Sequence, residues 1–484
     1  MNYKHLAIAT SLLSGLLVAG CGDSDSGIPF GGDTGNTPNN PITAPTAGNI
    51  AFSVLGSSST TATAANGILS VGNPNTATVV NVQSPTARGG TITANADGSF
   101  TYNAPALGNT TDTFSYTIQN AGGNSTGTAT VTLLGRGFFV NNQAAAGGSG
   151  TQQAPFQTLA QVQAAATGVN GAEIVVFQGD GTNTGYNTPI VLGTNQTLRG
   201  FSQAATPLLT GPVSFSSGNR LEDVRISGTP GTASAVNAVG ASNGIVNRVA
   251  ISNCTSAGNL TDATGTFAIS NGSTQNLASF GFASLSTVGN LTWSITNSTF
   301  SNSITVCTIC EQPSGTASQN ITVSGCTFTT AEGIVTRANT TGTAVGLTVN
   351  NCTVNGGGTA LRGIDVLTQG TTGFTALLTN NNITGCTGEG ILVGVDANST
   401  ARVKIDSNRT TGNRVNRGLT IGTSGAGNFC GVVQNNTSDQ FTFNQNDPSV
   451  LGIEQFATFT TRNNGLVVTS GNITSLAVGA CGLP

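Results

Sequence analysis

The chain has 484 residues, of which 7% are charged, and its formal net charge is −4. In a cytosolic enzyme about a quarter of the residues are charged, and no basic patch with interleaved aromatic residues indicates a nucleic-acid partner. His5 is the only histidine, and it lies in a segment that is predicted below to be removed. A mature chain without imidazole excludes Ser-His-Asp and Cys-His nucleophile systems and histidine-ligated zinc sites.

Residues 1–20 are predicted to be a signal peptide. A short polar start precedes a mostly apolar stretch, residues 6–18, that is too short to span a membrane as a stable helix. Residues 17–21, Leu-Val-Ala-Gly-Cys, resemble the lipobox of bacterial lipoproteins. The resemblance implies that Cys21 is lipidated and that acyl chains hold the protein on a membrane. An ordinary signal peptide with a chance cysteine is the alternative interpretation.

Residues 21–45 are predicted to be a flexible linker, because they consist almost entirely of Gly, Ser, Asp, Asn, Thr and Pro. Such a linker would hold the folded part away from a lipid surface. In lipoproteins an aspartate directly after the lipidated cysteine suggests retention in the inner membrane, and Gly22 stands there in this chain. The expected location is the cell envelope, with the outer membrane favoured and periplasmic or surface exposure left open.

Residues 46–135 are predicted to form a small Ig-like β-sandwich. Two segments that alternate apolar and polar residues flank the turn pair Asp97-Gly98, which is a strong hairpin signal because glycine accepts a positive φ. Two further alternating segments follow. The run from Gly90 to Leu133 resembles the Ig-like and cadherin-like repeats of bacterial surface proteins, which implies a spacer or adhesive unit. No dense Asp/Asn cluster of the calcium-junction type occurs in it, so no metal site is predicted.

Residues 136–484 are predicted to form a right-handed parallel β-helix of about a dozen coils, with a short helix at 159–166. This opening segment resembles the capping segment of bacterial right-handed β-helix proteins. A four-position pattern, with an apolar residue first and a small or polar residue last, recurs at loosely regular intervals, as solenoid coils do. The longest interval, between Ile251 and Ile295, is interpreted as an insertion or a weak coil. The pattern begins at Leu198, Ile226, Ile251, Ile295, Val323, Val349, Ile383, Ile405, Val433 and Thr461.

Eight cysteines remain when Cys21 is set aside, and an even number favours disulfides in an oxidising compartment. Cys307 and Cys310 form a Cys-x-x-Cys motif that lacks the context of a thioredoxin-like site and lacks further zinc ligands. A local structural bridge is therefore predicted for this pair. Cys430 and Cys481 are predicted to pin the C-terminal end.

The last position of the repeated pattern is predicted to form one column of small side chains along the solenoid. Stacked asparagines in such a column form hydrogen-bonded ladders. Cys326, Cys352 and Cys386 are expected to share this column, either near bridging distance or as buried thiols that behave like small apolar residues.

A second motif recurs once per coil and places Glu332, Arg362, Glu389 and Arg417 before a glycine, at nearly equal spacings. We predict that these four residues stack in a column of alternating charge. One interpretation is a structural salt-bridge ladder. The other is a polar strip that binds sugar, which Asp365 could join, with carboxylates that could serve general acid/base chemistry on a glycan.

Many right-handed β-helix proteins are polysaccharide lyases or hydrolases, but this is an analogy of fold. The Gly-His-Gly of polygalacturonases cannot occur in the mature chain, and no clustered aspartates of the pectate-lyase calcium site are found. The preferred hypothesis is a non-enzymatic surface protein that acts in adhesion, envelope architecture or glycan binding. The alternative is a polysaccharide lyase or glycoside hydrolase that uses the charged column. No cofactor or metal is predicted, and the expected partners are a membrane, through the lipid anchor, and a polysaccharide or surface protein.

Overall fold

The computed structural model describes residues 42–228, 234–301, 307–329, 333–339, 344–370, 373–414 and 417–484. The predicted signal peptide, Cys21, most of the linker and Glu332 lie outside these ranges. The chain divides into two compact units, with the boundary at Gly137 apart from a short segment, Thr151–Gln153, that belongs to the first unit. Within the ranges given, no helix is long and apolar enough to cross a membrane.

The first unit is an all-β, Ig-like fold. In one sheet β5, β8 and β9 are antiparallel and β2 pairs with β9 in parallel, and in a second sheet β7 lies between β3 and β6. β1 and β4 form a separate antiparallel pair. The strands are β1 (Thr46–Ala47), β2 (Ile50–Gly56), β3 (Ser59–Ala62), β4 (Gly72–Asn73), β5 (Thr78–Val82), β6 (Thr91–Ala94), β7 (Phe100–Asn103), β8 (Thr110–Asn120) and β9 (Gly123–Val140), with short 3-10 helices at Ala64–Asn66 and Ile68–Ser70. The predicted β-sandwich strands are therefore present.

A buried carboxylate ties the two sheets of this unit together. Asp112 of β8 is fully buried, and its Oδ2 accepts hydrogen bonds from the Tyr102 hydroxyl at 2.7 Å and the Thr86 hydroxyl at 2.5 Å. Its Oδ1 accepts from the backbone N–H groups of Arg88 and Thr113, both at 2.8 Å. Burial, followed by the hydrogen bond to Asp112, raises the pKa of Tyr102 well above its ordinary value. The carboxylate thus satisfies four donors inside the core.

The second unit is a parallel β-solenoid of about 11 turns, which confirms the predicted fold class. Most coils contribute one strand to each of three parallel stacks, named A, B and C in the order in which the chain visits them. Stack A contains β10 (Glu173–Val176), β12 (Thr197–Gly200), β15 (Ser217–Glu222), β18 (Ser242–Asn247), β21 (Thr264–Ser270), β24 (Asn290–Thr296), β27 (Ser318–Ser324), β30 (Ala344–Asn350), β33 (Gly373–Thr379), β36 (Thr400–Asp406), β39 (Asn428–Gln434), β41 (Val450–Glu454) and β43 (Ile473–Leu476).

Stacks B and C are joined at the C-terminal end by β40, which pairs with strands of both. Stack B contains β13 (Leu208–Leu209), β16 (Arg225–Ser227), β19 (Ala250–Ser252), β22 (Ser273–Gln275), β25 (Thr299–Ser301), β28 (Thr327–Thr329), β31 (Thr353–Asn355), β34 (Asn382–Thr384) and β37 (Arg409–Thr410). Stack C contains β11 (Ile190–Val191), β14 (Val213–Ser214), β17 (Val236–Asn237), β20 (Ser256–Asn259), β23 (Phe280–Ser284), β26 (Cys307–Glu311), β29 (Ile334–Asn339), β32 (Ile364–Gln369), β35 (Ile391–Asp396), β38 (Leu419–Thr423), β40 (Thr437–Gln445) and β42 (Asn464–Ser470).

Both ends of the solenoid core are closed by short helices. At the N-terminal end α1 (Leu159–Ala166) begins at Thr158, which forms a capping box with Gln161, and it buries its apolar side against the core. The helix predicted at 159–166 is thereby confirmed. At the C-terminal end Phe459 of α2 (Phe459–Arg462) packs edge-on against Phe441 and Phe443, with ring centroids 5.1 Å apart in both pairs.

The segments that match the repeated four-position pattern belong to two different columns of the solenoid, one in stack A and one in stack B. Ile295 and Val323 pair in stack A, whereas Ile226 and Ile251 pair in stack B. The longest interval contains a coil that the pattern search did not recognise, since stack A has its own residue, Ile269, in that interval, and of the two interpretations the insertion is wrong. The error has a physical cause. An apolar residue followed by a tight turn is required both where the chain leaves stack A and where it leaves stack B.

The expectation that Cys386 shares a column with Cys326 and Cys352 is wrong for the same reason. Ile383, three positions before Cys386, pairs with Val354 in stack B. The position in line with Cys352 belongs to Asn381, whose Oδ1 accepts a hydrogen bond from the Cys352 N–H at 2.9 Å.

An asparagine ladder, formed by Asn381, Asn408, Asn436 and Asn463, runs along the corner between stacks A and B. From Asn408 onward, each Oδ1 accepts from the backbone N–H of the asparagine one coil earlier, at 3.0, 2.9 and 3.0 Å in order along the chain. Each Nδ2 donates to the next Oδ1 as well, at 2.9, 3.1 and 3.0 Å. The predicted stacking of small polar side chains therefore takes the form of a continuous hydrogen-bonded column.

Replacing Asn408 with alanine should lower the stability of the solenoid. The Oδ1 that two donors of Asn381 use would be lost, and the Leu378 carbonyl would lose the hydrogen bond from the Asn408 side chain. Buried polar groups without partners cost about 1–3 kcal/mol each, so we expect a loss of about 2 kcal/mol after local relaxation. The urea midpoint, followed by circular dichroism, measures it. The exposed Asn428→Ala on β39 is the control, and equal midpoints for the two variants would contradict the ladder's role.

Candidate functional site

The outer side of stack C carries the predicted charged residues. In β32 the side chains of Ile364 and Val366 lie in the core, and alternation along the strand turns Asp365 and Leu367 outward. Ile364 pairs in register with the equivalent residues of β29 and β35. Residues that occupy the same position in successive coils therefore stack on this surface.

Arg362, Glu389 and Arg417 lie in one column, as their spacing predicts. Arg362 Nε is 3.1 Å from Glu389 Oε2, and Arg417 Nη1 contacts Glu389 Oε1. Asp365 joins them, because its Oδ2 is 3.1 Å from Arg362 Nη1 and 3.7 Å from Arg337 Nη2. We name these five residues the charged column. Glu332, the fourth residue predicted for it, lies outside the described residues.

The carboxylates of the charged column are buried while its outer arginines reach solvent. The side chains of Asp365 and Glu389 are 4% and 6% exposed, whereas those of Arg337 and Arg417 are 46% and 51% exposed. Burial raises the pKa of Asp365 in spite of the neighbouring guanidinium groups of Arg362 and Arg337. At Glu389 burial acts in the same direction, but hydrogen bonds from Arg417 and Arg362 outweigh it and lower the pKa. Glu389 is accordingly an ionised anchor for two arginines.

A groove of about 330 Å³ lies beside the charged column. Arg337 lines the groove and also reaches Asp365, so it connects the two features. The remaining lining consists of three apolar side chains, two carboxamides and one hydroxyl. These residues are Leu285, Pro313, Leu367, Gln312, Gln369 and Ser314. Such a surface offers hydrogen-bond donors and acceptors together with apolar contact, which is the mixture that a polar ligand with C–H faces requires.

Arg337 is a site residue that the sequence analysis missed. The sequence carries no repeated signal for it, because the residue with which it pairs in register one coil later is Leu367 and has no charge. Its position in the coil differs from that of the other charged residues, so a search for a single repeated position could not find it. In the part of the chain that the structure describes, no group of three or more His, Cys, Asp or Glu side chains is arranged to hold a metal ion.

A second polar cluster lies inside the solenoid, and the sequence analysis missed it as well. Glu311 of β26 is fully buried, pairs with Ser284 on one side and Thr336 on the other, and accepts a hydrogen bond from the Thr336 hydroxyl at 3.1 Å. The buried Gln319 carboxamide donates to Ser284 Oγ at 2.7 Å. Glu311 Oε1 and Gln319 Oε1 have no hydrogen-bond partner among the described residues. Burial raises the pKa of Glu311 to about 8.

The two cysteine pairs singled out above are disulfides in the structure. Cys307 is joined to Cys310 within β26, with a Cα–Cα distance of 5.7 Å. Cys430 of β39 is joined to Cys481, with a Cα–Cα distance of 5.4 Å, and this bond holds the C-terminal segment against stack A. Neither disulfide includes a residue of the charged column or of the described lining of the groove.

Comparison with known families identifies the first unit. Residues 39–133 match the family model of the bacterial Ig domain. Searches against curated proteins and against solved structures give no match. An Ig-like domain followed by a parallel β-helix fits a structural or adhesive surface protein.

Proposed function

We propose that this chain is a lipid-anchored protein of the bacterial cell envelope whose solenoid is a rigid rod that binds a glycan on the outer side of stack C. The observation that carries the proposal is the groove next to the charged column, with Arg337 shared between them. The lipobox-like segment that ends at Cys21 supports the anchor. Acyl chains on Cys21, detected by mass spectrometry of the membrane fraction, would test that part of the proposal.

The charged column suits a binding surface because its side chains hold each other in place. Arg362 contacts both Asp365 and Glu389, and Glu389 contacts both Arg362 and Arg417. Side chains fixed in this way lose little conformational entropy when a ligand binds. The exposed parts of Arg337 and Arg417 retain N–H groups directed to solvent, and guanidinium groups donate readily to hydroxyl or carboxyl oxygens.

Substitution of Arg337 should weaken glycan binding. In Arg337→Ala the groove loses the one charged residue of its described lining, and one charge-assisted hydrogen bond is worth enough to lower affinity about tenfold. The measurement is calorimetric titration of the full mature chain with the best ligands from an oligosaccharide array. Arg220→Ala is the matched control, because Arg220 is a solenoid arginine of similar exposure that is paired with Glu222. Failure of every glycan to bind would overturn the proposal and leave a purely structural rod.

A polysaccharide lyase or hydrolase is the second candidate function. One observation favours it: the pKa values of Asp365 and Glu389 are shifted in opposite directions within one column, as in pairs of catalytic carboxyl groups. The same incubations, read for reducing ends and for unsaturated products, test it. Shortened polysaccharide products that form with the unsubstituted protein but not with Glu389→Gln would establish catalysis. The absence of products would leave binding as the role of the column.

A further inference from the structure

Two buried cysteines occupy consecutive rungs of the column that continues into the asparagine ladder. The residues on both sides of them are paired in register, since Ser324 pairs with Asn350 and Thr327 pairs with Thr353. Cys326 and Cys352 therefore stand directly over one another. The Thr353 N–H donates to the Cys326 carbonyl at 2.9 Å, so the backbone pairing is continuous at this point.

The two thiols occupy equivalent positions in their coils. Each donates to the carbonyl two residues before it, Cys326 to Ser324 and Cys352 to Asn350, both at 3.4 Å. The Cys352 side chain also lowers the pKa of the Cys326 thiol, as expected of neighbouring thiols. Neighbouring parallel strands lie about 4.8 Å apart, and this distance falls within the Cα separation of about 4.4–6.8 Å that disulfides span. Both side chains are buried, so no solvent separates the two sulfur atoms.

Cys254 provides an internal contrast. It is also buried, but the pairing of Ser252 with Gln275 places Leu277 beside it in the following coil. Burial raises the pKa of the Cys254 thiol, the shift expected of a thiol in apolar surroundings. Burial of a cysteine in this solenoid therefore does not by itself bring two thiols together, whereas the register at Cys326 and Cys352 does.

We propose that Cys326 and Cys352 form a disulfide that staples consecutive coils when the chain folds in an oxidising compartment. The Cys326 thiolate attacks the disulfide of an oxidant, such as a disulfide-donating protein or oxidised glutathione, and one thiol of the oxidant leaves. The Cys352 thiolate then displaces the second thiol. The two cysteines lose two protons and two electrons, and the oxidant is reduced to two thiols. Because both sulfur atoms are buried in the finished coil, the exchange precedes its final packing.

The staple would extend a line of lateral connections. Asn381 to Asn463 are joined by side-chain hydrogen bonds, and the Cys352 N–H donates to Asn381 Oδ1 at the first rung of that ladder. Cysteine cannot continue such a ladder because a thiol is a weak hydrogen-bond donor and acceptor. A covalent bond between Cys326 and Cys352 would supply the connection for the coil in which the hydrogen-bonded ladder stops.

Peptide mapping of the full mature chain secreted to the bacterial periplasm tests the proposal. The protein is denatured in an alkylating agent without reductant, digested and analysed by mass spectrometry. We expect a cross-linked peptide pair that contains Cys326 and Cys352, and its loss with alkylation of Cys352 in Cys326→Ser. Cys254→Ser is the matched control and should retain the cross-link. Alkylation of both cysteines in the unsubstituted secreted protein, or a bond from either one to another cysteine, would overturn the proposal.

Discussion

Replacing Glu311 with glutamine is expected to stabilise the solenoid at neutral and alkaline pH. Burial raises the pKa of Glu311 from 4.5 to about 8, so the folded chain holds a proton that the unfolded chain releases. The contribution of this group to the free energy of unfolding is therefore fully present below pH 4.5. It declines as the pH rises towards 8, and above pH 8 the loss is constant. At about 1.4 kcal/mol per pH unit, the loss at pH 8 is on the order of 4 kcal/mol. Glutamine resembles the protonated acid and can still accept from Thr336.

The difference in stability between the unsubstituted protein and Glu311→Gln should appear in urea midpoints measured at several pH values with the fluorescence of Trp293. Trp293 is the only tryptophan, and it lies on β24, which pairs with the strand that carries Gln319. The midpoint of the unsubstituted protein should fall between pH 5 and pH 8, and that of Glu311→Gln should fall less. Asp262→Asn is the control, because a backbone hydrogen bond from Thr287 lowers the pKa of that partly exposed carboxylate further below this window. Parallel pH profiles for all three proteins would contradict the assignment.

Replacing Asp112 with alanine should destabilise the Ig-like unit by about 3 kcal/mol, because the loss of a buried charged acceptor leaves its donors unpaired. The Tyr102 and Thr86 hydroxyls and two backbone N–H groups would lose their acceptor. The hydrophobic core of this unit is small, so its free energy of unfolding is low and this loss should make local unfolding frequent.

Hydrogen exchange of the full chain, read by mass spectrometry, separates this effect from the rest of the molecule. Peptides from β7 and β8 should exchange faster in Asp112→Ala, while peptides from stacks A and B should keep their rates. Asp97→Asn is the control, since Asp97 is a fully exposed carboxylate in the same unit that bonds only within its own turn. Unchanged exchange in β7 and β8 would show that Asp112 does not hold the two sheets together.

The sequence predicted three residues of the charged column from their spacing, because residues of a parallel stack recur at nearly constant intervals. Arg362, Glu389 and Arg417 occupy the same position in consecutive coils, and the register of β32, β35 and β38 brings them into contact. The pairing of Cys307 with Cys310 could be predicted because the two cysteines are only three residues apart.

Other features could not be predicted, because they depend on contacts between distant parts of the chain. The local pattern at Cys386 matches that at Cys326, and only strand pairing shows that the two belong to different corners. Glu311 follows Cys310 at the end of a short strand, where an acid would ordinarily face solvent. Its burial follows from pairing with Ser284 in the preceding coil and with Thr336 in the following coil.

The asparagine ladder also bears on how the length of this protein can change. Asn408 and Asn436 accept from the preceding asparagine and donate to a carbonyl in the same manner, so one rung can take the place of the next. Deletion of the segment between these two equivalent points would bring Asn381 to a partner identical to the one that it lost. Gene duplication or loss of a whole coil can thus lengthen or shorten the solenoid in steps of about 4.8 Å while the asparagine ladder stays continuous.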